Sequence, residues 1–149
     1  MRVPTCLFVL VLIAGCGGAE EAPNSDAMSE EMEMEEPTVA DFAGTWTLEA
    51  TLEGTPDPVP VTIEGTPDGT FTMVLEDRDP MTLEASMSGD SLVLVSPTYE
   101  SVIRDGVTVS TRTAAVIVDG RMVGDLVATY RSAEGTQEVP GTIEGTRGM

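Results

Sequence analysis

The chain contains no histidine and no lysine, and in 149 residues it has only two cysteines, one tryptophan and two tyrosines. Each shortage closes a class of chemistry. Ser–His, Cys–His and Ser–Lys nucleophilic systems lack their base. Zinc sites built on histidine and cysteine lack their ligands. Seven arginines stand against 26 acids, for a net charge of −19, so nucleic acid is a poor partner. No apolar run reaches the roughly 20 residues that a membrane-spanning helix needs, and no stretch shows helical periodicity. The remaining chemistry is that of carboxylates, either paired for acid–base work or binding calcium through oxygen.

What is present begins with a leader. Met1-Arg2 is a short positive start, Leu7 to Ala14 is unbroken apolar sequence, and Gly15 is small. That is the layout of a secretory signal peptide. Ile13-Ala14-Gly15-Cys16 resembles the lipobox of bacterial lipoproteins: an aliphatic residue, two small ones and cysteine. The resemblance implies that residues 1–15 are removed and that Cys16 receives a diacylglyceryl group and an acylated amino terminus. Two or three acyl chains give a stable membrane anchor where one does not. Cys6 would leave with the leader and Cys16 would be consumed by lipid, so the mature chain would keep no free thiol and no disulfide. Gly17 follows the cysteine. In Gram-negative lipoproteins of this kind an aspartate there favours inner-membrane retention, so glycine implies the outer membrane if the cell has one. The expected location is the cell envelope.

By that resemblance residues 16–40 would be the lipidated cysteine and an acidic tether. Gly17 to Ala40 holds eight acids, no base and no aromatic residue. Such a segment cannot bury enough apolar surface to offset its ordering entropy. As a coil it would span about 25–30 Å. Met28, Met32 and Met34 lie among its glutamates. Thioethers suit Cu(I), but three of them without histidine or cysteine read more simply as part of the tether, and no metal or cofactor is expected.

From Asp41 to Met149 the texture is that of an all-β domain. Trp46, Leu48, Ala50 and Leu52 share one face, with Thr47, Glu49, Thr51 and Glu53 on the other. This is the period of a half-buried strand. The pattern recurs at Val59–Ile63, Phe71–Leu75, Met81–Met87 and Met122–Tyr130, and around Gly141 between Val139 and Ile143. Pro60 marks a strand end or a sheet edge. Asp68-Gly69, Gly89-Asp90, Asp105-Gly106, Asp119-Gly120 and Glu134-Gly135 punctuate the runs, and Asp-Gly suits type I′ hairpins. A phrase recurs as TLEGT at 51–55 and TIEGT at 62–66 and 142–146. It reads as a strand end whose glycine turns the chain. The expected fold is an antiparallel up-and-down barrel of about eight or nine strands, with a two-sheet sandwich as the alternative. A membrane barrel does not fit, because its acidic outer face could not meet lipid.

Phe42-Ala43-Gly44-Thr45-Trp46 resembles the Gly-x-Trp that opens the first strand of lipocalins and the wider calycin barrels. The resemblance implies that Trp46 plugs one end of a barrel and that a basic residue near the last strand covers it. Arg147 and Arg131 are the two candidates for that base. Trp46 as a plain core residue is the other reading.

An apolar cavity, if present, would take its walls from Met73, Met81, Met87 and Met122, with Tyr99, Tyr130, Ser101 and Thr111 as its polar groups. Small inward residues such as Ala50, Ala85, Ala128, Gly124 and Gly141 would leave it room. Glu76-Asp77-Arg78-Asp79-Pro80 is the densest carboxylate cluster, and beside proline it reads as a solvated turn. The function classes are, in order, a barrel carrying a small apolar ligand, an envelope module offering an acidic surface to a protein partner, and a carboxylate enzyme. No catalytic residue is expected.

Overall fold

The computed structural model describes residues 35–149. The leader, Cys16 and the methionine-bearing stretch of the tether lie outside the described residues. A 3₁₀ turn, Val39–Phe42, leads into nine strands: β1 (Gly44–Leu52), β2 (Val59–Gly65), β3 (Phe71–Val74), β4 (Met81–Ser88), β5 (Ser91–Val95), β6 (Tyr99–Glu100), β7 (Thr108–Val118), β8 (Arg121–Ser132) and β9 (Gly135–Arg147). The sheet order is β5-β4-β3-β2-β1-β9-β8-β7-β6, and β5 also pairs with β7. That last pairing closes eight strands into an antiparallel up-and-down barrel. A sandwich, which would leave open sheet edges, is thereby set aside.

Closure depends on a bend between β5 and β6, which lie in turn along the same edge of β7. Ser96 makes the bend. Its N–H donates to the Thr111 carbonyl at 2.9 Å, and its hydroxyl oxygen accepts the Thr111 N–H at 2.8 Å. A side chain thus substitutes for a backbone partner, so the ladder survives the change of direction.

The alternation read from the sequence becomes the inside and outside of the barrel. In β1 the exposed and buried residues strictly alternate from Thr45 to Leu52. β5 departs from this pattern, because Leu92, Val93 and Leu94 are all buried. Turn chemistry is more varied than the dipeptides implied. Only Asp119-Gly120 has positive φ at both positions, 51° and 76°, as a type I′ turn requires. At Gly89-Asp90 only the glycine is positive, the pattern of type II′.

The recurring TLEGT/TIEGT phrase is not one structural device. Gly54 turns the chain after β1 at φ 79°. Gly65 ends β2 and leaves space that the Phe71 ring fills, and Gly145 lies within β9. A Cβ on Gly145 would strike the Thr47 carbonyl, one on Gly141 the Thr51 carbonyl, and one on Gly124 the Ala114 carbonyl. These glycines let neighbouring strands approach closely. The room made by Gly124 and Gly141 is therefore taken up by backbone and adds nothing to the interior.

Candidate functional site

The two ends of the barrel are built differently. At the end where β1 begins, Phe42, Trp46, Phe71, Leu92 and Met122 are all fully buried. Trp46, 1% exposed, donates its indole N–H to the Phe42 carbonyl at 2.8 Å, so its polar atom is satisfied. The Arg147 guanidinium lies 4.6 Å from the centre of the Trp46 ring and donates to the Asp41 carbonyl at 2.7 Å. Asp41 in turn accepts from the Thr38 N–H and hydroxyl, and these bonds hold its carboxyl below the usual carboxylate range. The 3₁₀ turn is thus fastened across this end as a floor.

Arg131 is elsewhere. β8 runs from the floor at Arg121 to the opposite end at Ser132, so Arg131 lies far from Trp46 and donates instead to Thr98 and Ser110. Another arginine occupies the counterpart position there. Arg104 stacks over Tyr130 at 4.2 Å and donates to the Gln137 side chain at 2.9 Å.

Between floor and open end lies an apolar cavity of about 60 Å³, lined from every strand. Its lower wall begins at Leu48, the next inward residue above Trp46, and its top is the loop Ser101–Val107. Ser101 closes that loop, donating its N–H to the Val107 carbonyl and accepting the N–H groups of Ile103 and Arg104 on its hydroxyl. Val102 and Ile103 therefore stand at the mouth, 45% and 37% exposed, while also lining the cavity.

Of the residues named from sequence, Met73, Tyr99, Tyr130, Ser101 and Thr111 line this cavity. Met87 and Met122 do not. Met122 is opposite Gly145, itself opposite Leu48, and belongs to the packing of the floor. Met87 pairs with Leu92 beside the turn at the same end. Met81 is half-buried at the start of β4 and lines no part of the cavity. Alternation identifies an inward residue but not its height along the barrel axis, and height separates these methionines.

The two tyrosines bring the main polar groups. Burial pushes the Tyr99 phenol up to about 12, the nearby Tyr130 hydroxyl adding to the shift and the Arg78 charge opposing it. Burial also raises Tyr130, against the pull of Arg104. Both phenols stay neutral at ordinary pH and can serve as hydrogen-bond groups inside an apolar wall.

Sequence reasoning missed the loop pair Val102–Ile103, whereas Val59, Val61 and Leu75, read as inward residues of alternating strands, prove to be cavity wall. The available signal was an aliphatic pair held in a polar connection with no strand to bury it. The carboxylates of the Glu76–Asp79 loop are exposed, and among the described residues no three acids gather closely enough to hold a metal ion.

No protein-family model and no curated protein matches this chain. The functional reading therefore rests on the barrel itself.

Proposed function

We propose that the protein is a lipid-anchored component of the cell envelope, held by Cys16, whose barrel carries a slender apolar ligand. The observation behind this reading is the asymmetry of the barrel: one end is filled by Trp46 and its fully buried neighbours under Arg147 and the 3₁₀ turn, while the other is covered by the Ser101–Val107 loop, whose Val102 and Ile103 are part-exposed over an apolar cavity. A void of about 60 Å³ is small beside the 300–1,000 Å³ of common ligand pockets. As it stands it has room for the tip of one hydrocarbon chain and not for a ring system; the rest of a chain enters as the Ser101–Val107 loop lifts and flexible wall residues such as Met73 move aside. The role is binding, with no bond made or broken.

Native mass spectrometry of the protein extracted from its own envelope tests the carrier role. A discrete extra mass lost on denaturation supports it, and a bare chain that also ignores apolar fluorescent probes refutes it. The mass of the amino-terminal peptide tests the anchor, which requires acyl chains on Cys16.

A second reading has its own support. Val102 and Ile103 are apolar, exposed and adjacent, so the same loop could dock on an envelope protein. Pull-down from envelope extracts with wild type and an Ile103→Ser variant separates that reading from the first.

A further inference from the structure

The barrel wall is incomplete at its open end. β3 pairs with β2 only from Thr62 to Gly65, so among the described residues Val59, Pro60 and Val61 have β1 on one side and no strand on the other. Pro60, which lacks an N–H, stands on that unpaired stretch and blocks the addition of another strand. The gap is a groove of about 480 Å³ between the segment Thr55–Pro60 and the loop Leu75–Asp77. It adjoins the interior: Val59, Leu75, Val102 and Ile103 line both groove and cavity, and only these side chains stand between the two.

The chemistry changes along this path. The inner part is hydrocarbon, and the outer part carries ionisable side chains of one sign, Asp57, Glu76 and Asp77, all exposed. Arg78 follows them in sequence but does not line the groove; its charge acts on Tyr99. A narrow apolar slot beside a wider acidic groove matches an amphiphile with one tail and a positive head.

We propose that the ligand is a single-chain amphiphile with a cationic headgroup, its tail in the barrel and its head in the groove beside Asp57, Glu76 and Asp77. This rests on the apolar-ligand reading above and specifies the class of ligand. The head stays at the surface, where the three carboxylates attract it without losing their hydration, and the tail supplies the apolar contact.

The test uses the mature chain carrying Cys16→Ser, which removes its own acyl chains. Binding of dodecyltrimethylammonium, dodecyl sulfate and dodecanol is measured by calorimetry at concentrations below micelle formation. A rim variant carries Asp57→Asn, Glu76→Gln and Asp77→Asn; asparagine keeps the left-handed backbone of residue 77, whose φ is 59°. A control variant carries Glu49→Gln, Glu64→Gln and Glu84→Gln on the outer wall, changing net charge equally. The cationic chain should bind wild type and control about tenfold more tightly than the sulfate. In the rim variant that preference should largely vanish. Equal binding of all three chains to wild type would overturn the headgroup assignment and leave the apolar site standing. An equal loss of preference in rim and control variants would also overturn it, since bulk charge would then explain the selection. Failure of all three to bind would remove the apolar-ligand reading itself.

Discussion

The guanidinium of Arg147, two residues from the end of the chain, lies 4.6 Å from the centre of the Trp46 ring, near the start of the first strand. Strands β1 and β9 are neighbours and place these residues directly opposite in register. The stack therefore ties the beginning of the barrel to its end, and the bond from Arg147 to the Asp41 carbonyl adds the 3₁₀ turn to the same tie.

Arg147→Ala should lower stability by about 1 kcal/mol, the worth of an exposed cation–π contact and a solvated hydrogen bond. Arg147→Lys should recover only part, since an ammonium cannot lie flat on the indole while reaching Asp41. Trp46→Ala should cost about 3–5 kcal/mol, because it empties the floor of the barrel. Urea unfolding measures all three. An alanine variant at 147 as stable as wild type would show that the stack contributes nothing.

Gly145→Ala should destabilise by about 2 kcal/mol or more, although the change adds a single methyl group. The new Cβ would strike the Thr47 carbonyl and the Leu48 side chain, and backbone cannot move aside as a flexible side chain can. Gly54→Ala is the contrast, since space there is open and the cost comes only from its φ of 79°. Thermal unfolding of both variants checks the difference in cause. A neutral Gly145→Ala would contradict the close approach of β1 and β9.

Alkaline pH should loosen the open half. The folded-state pKa of Tyr99, about 12, lies above its ordinary value near 10. The folded state therefore holds the phenolic proton more tightly than the unfolded chain does. The resulting stability is complete below pH 10 and is lost as pH rises from about 10 to 12, by on the order of 2 kcal/mol. Tyr130, also raised, adds to the loss in the same direction. Denaturant titrations from pH 8 to pH 12 should show this decline, and Tyr99→Phe should flatten part of it. A wild-type profile with no decline above pH 10 would contradict the burial of Tyr99.

Much of the architecture was legible because one face of most strands is apolar. Trp46, Leu48, Ala50 and Leu52 announce both a strand and its inward side, and each is buried as the pattern implies. Three things were not legible, for a common reason. Met87, Met122 and Arg131 were assigned to roles that depend on height along the barrel, and height follows from register across several strands. The glycines of β8 and β9 read as empty space or turns, whereas their hydrogens face a neighbouring carbonyl that no local pattern reveals. Nothing in the alternating pattern marks Ser96, yet its hydroxyl continues the β7 ladder. In each case the deciding partner is distant in sequence. The candidate site was half legible: Met73 and Tyr130 followed from alternation, while the Val102–Ile103 cap and the groove beside Pro60 arise where strands stop.

A hydrocarbon chain carried as proposed enters the open half and points toward the floor. Trp46 is the only tryptophan, so its fluorescence reports the floor alone. The direct measurement is quenching of Trp46 by alkyl chains carrying bromine either at the tail tip or beside the head. With the tail inserted, tip bromine should come to rest near Leu48 and quench strongly, while bromine beside the head should quench weakly at equal occupancy. Saturable binding with equal quenching from both positions, or with none, would contradict the account.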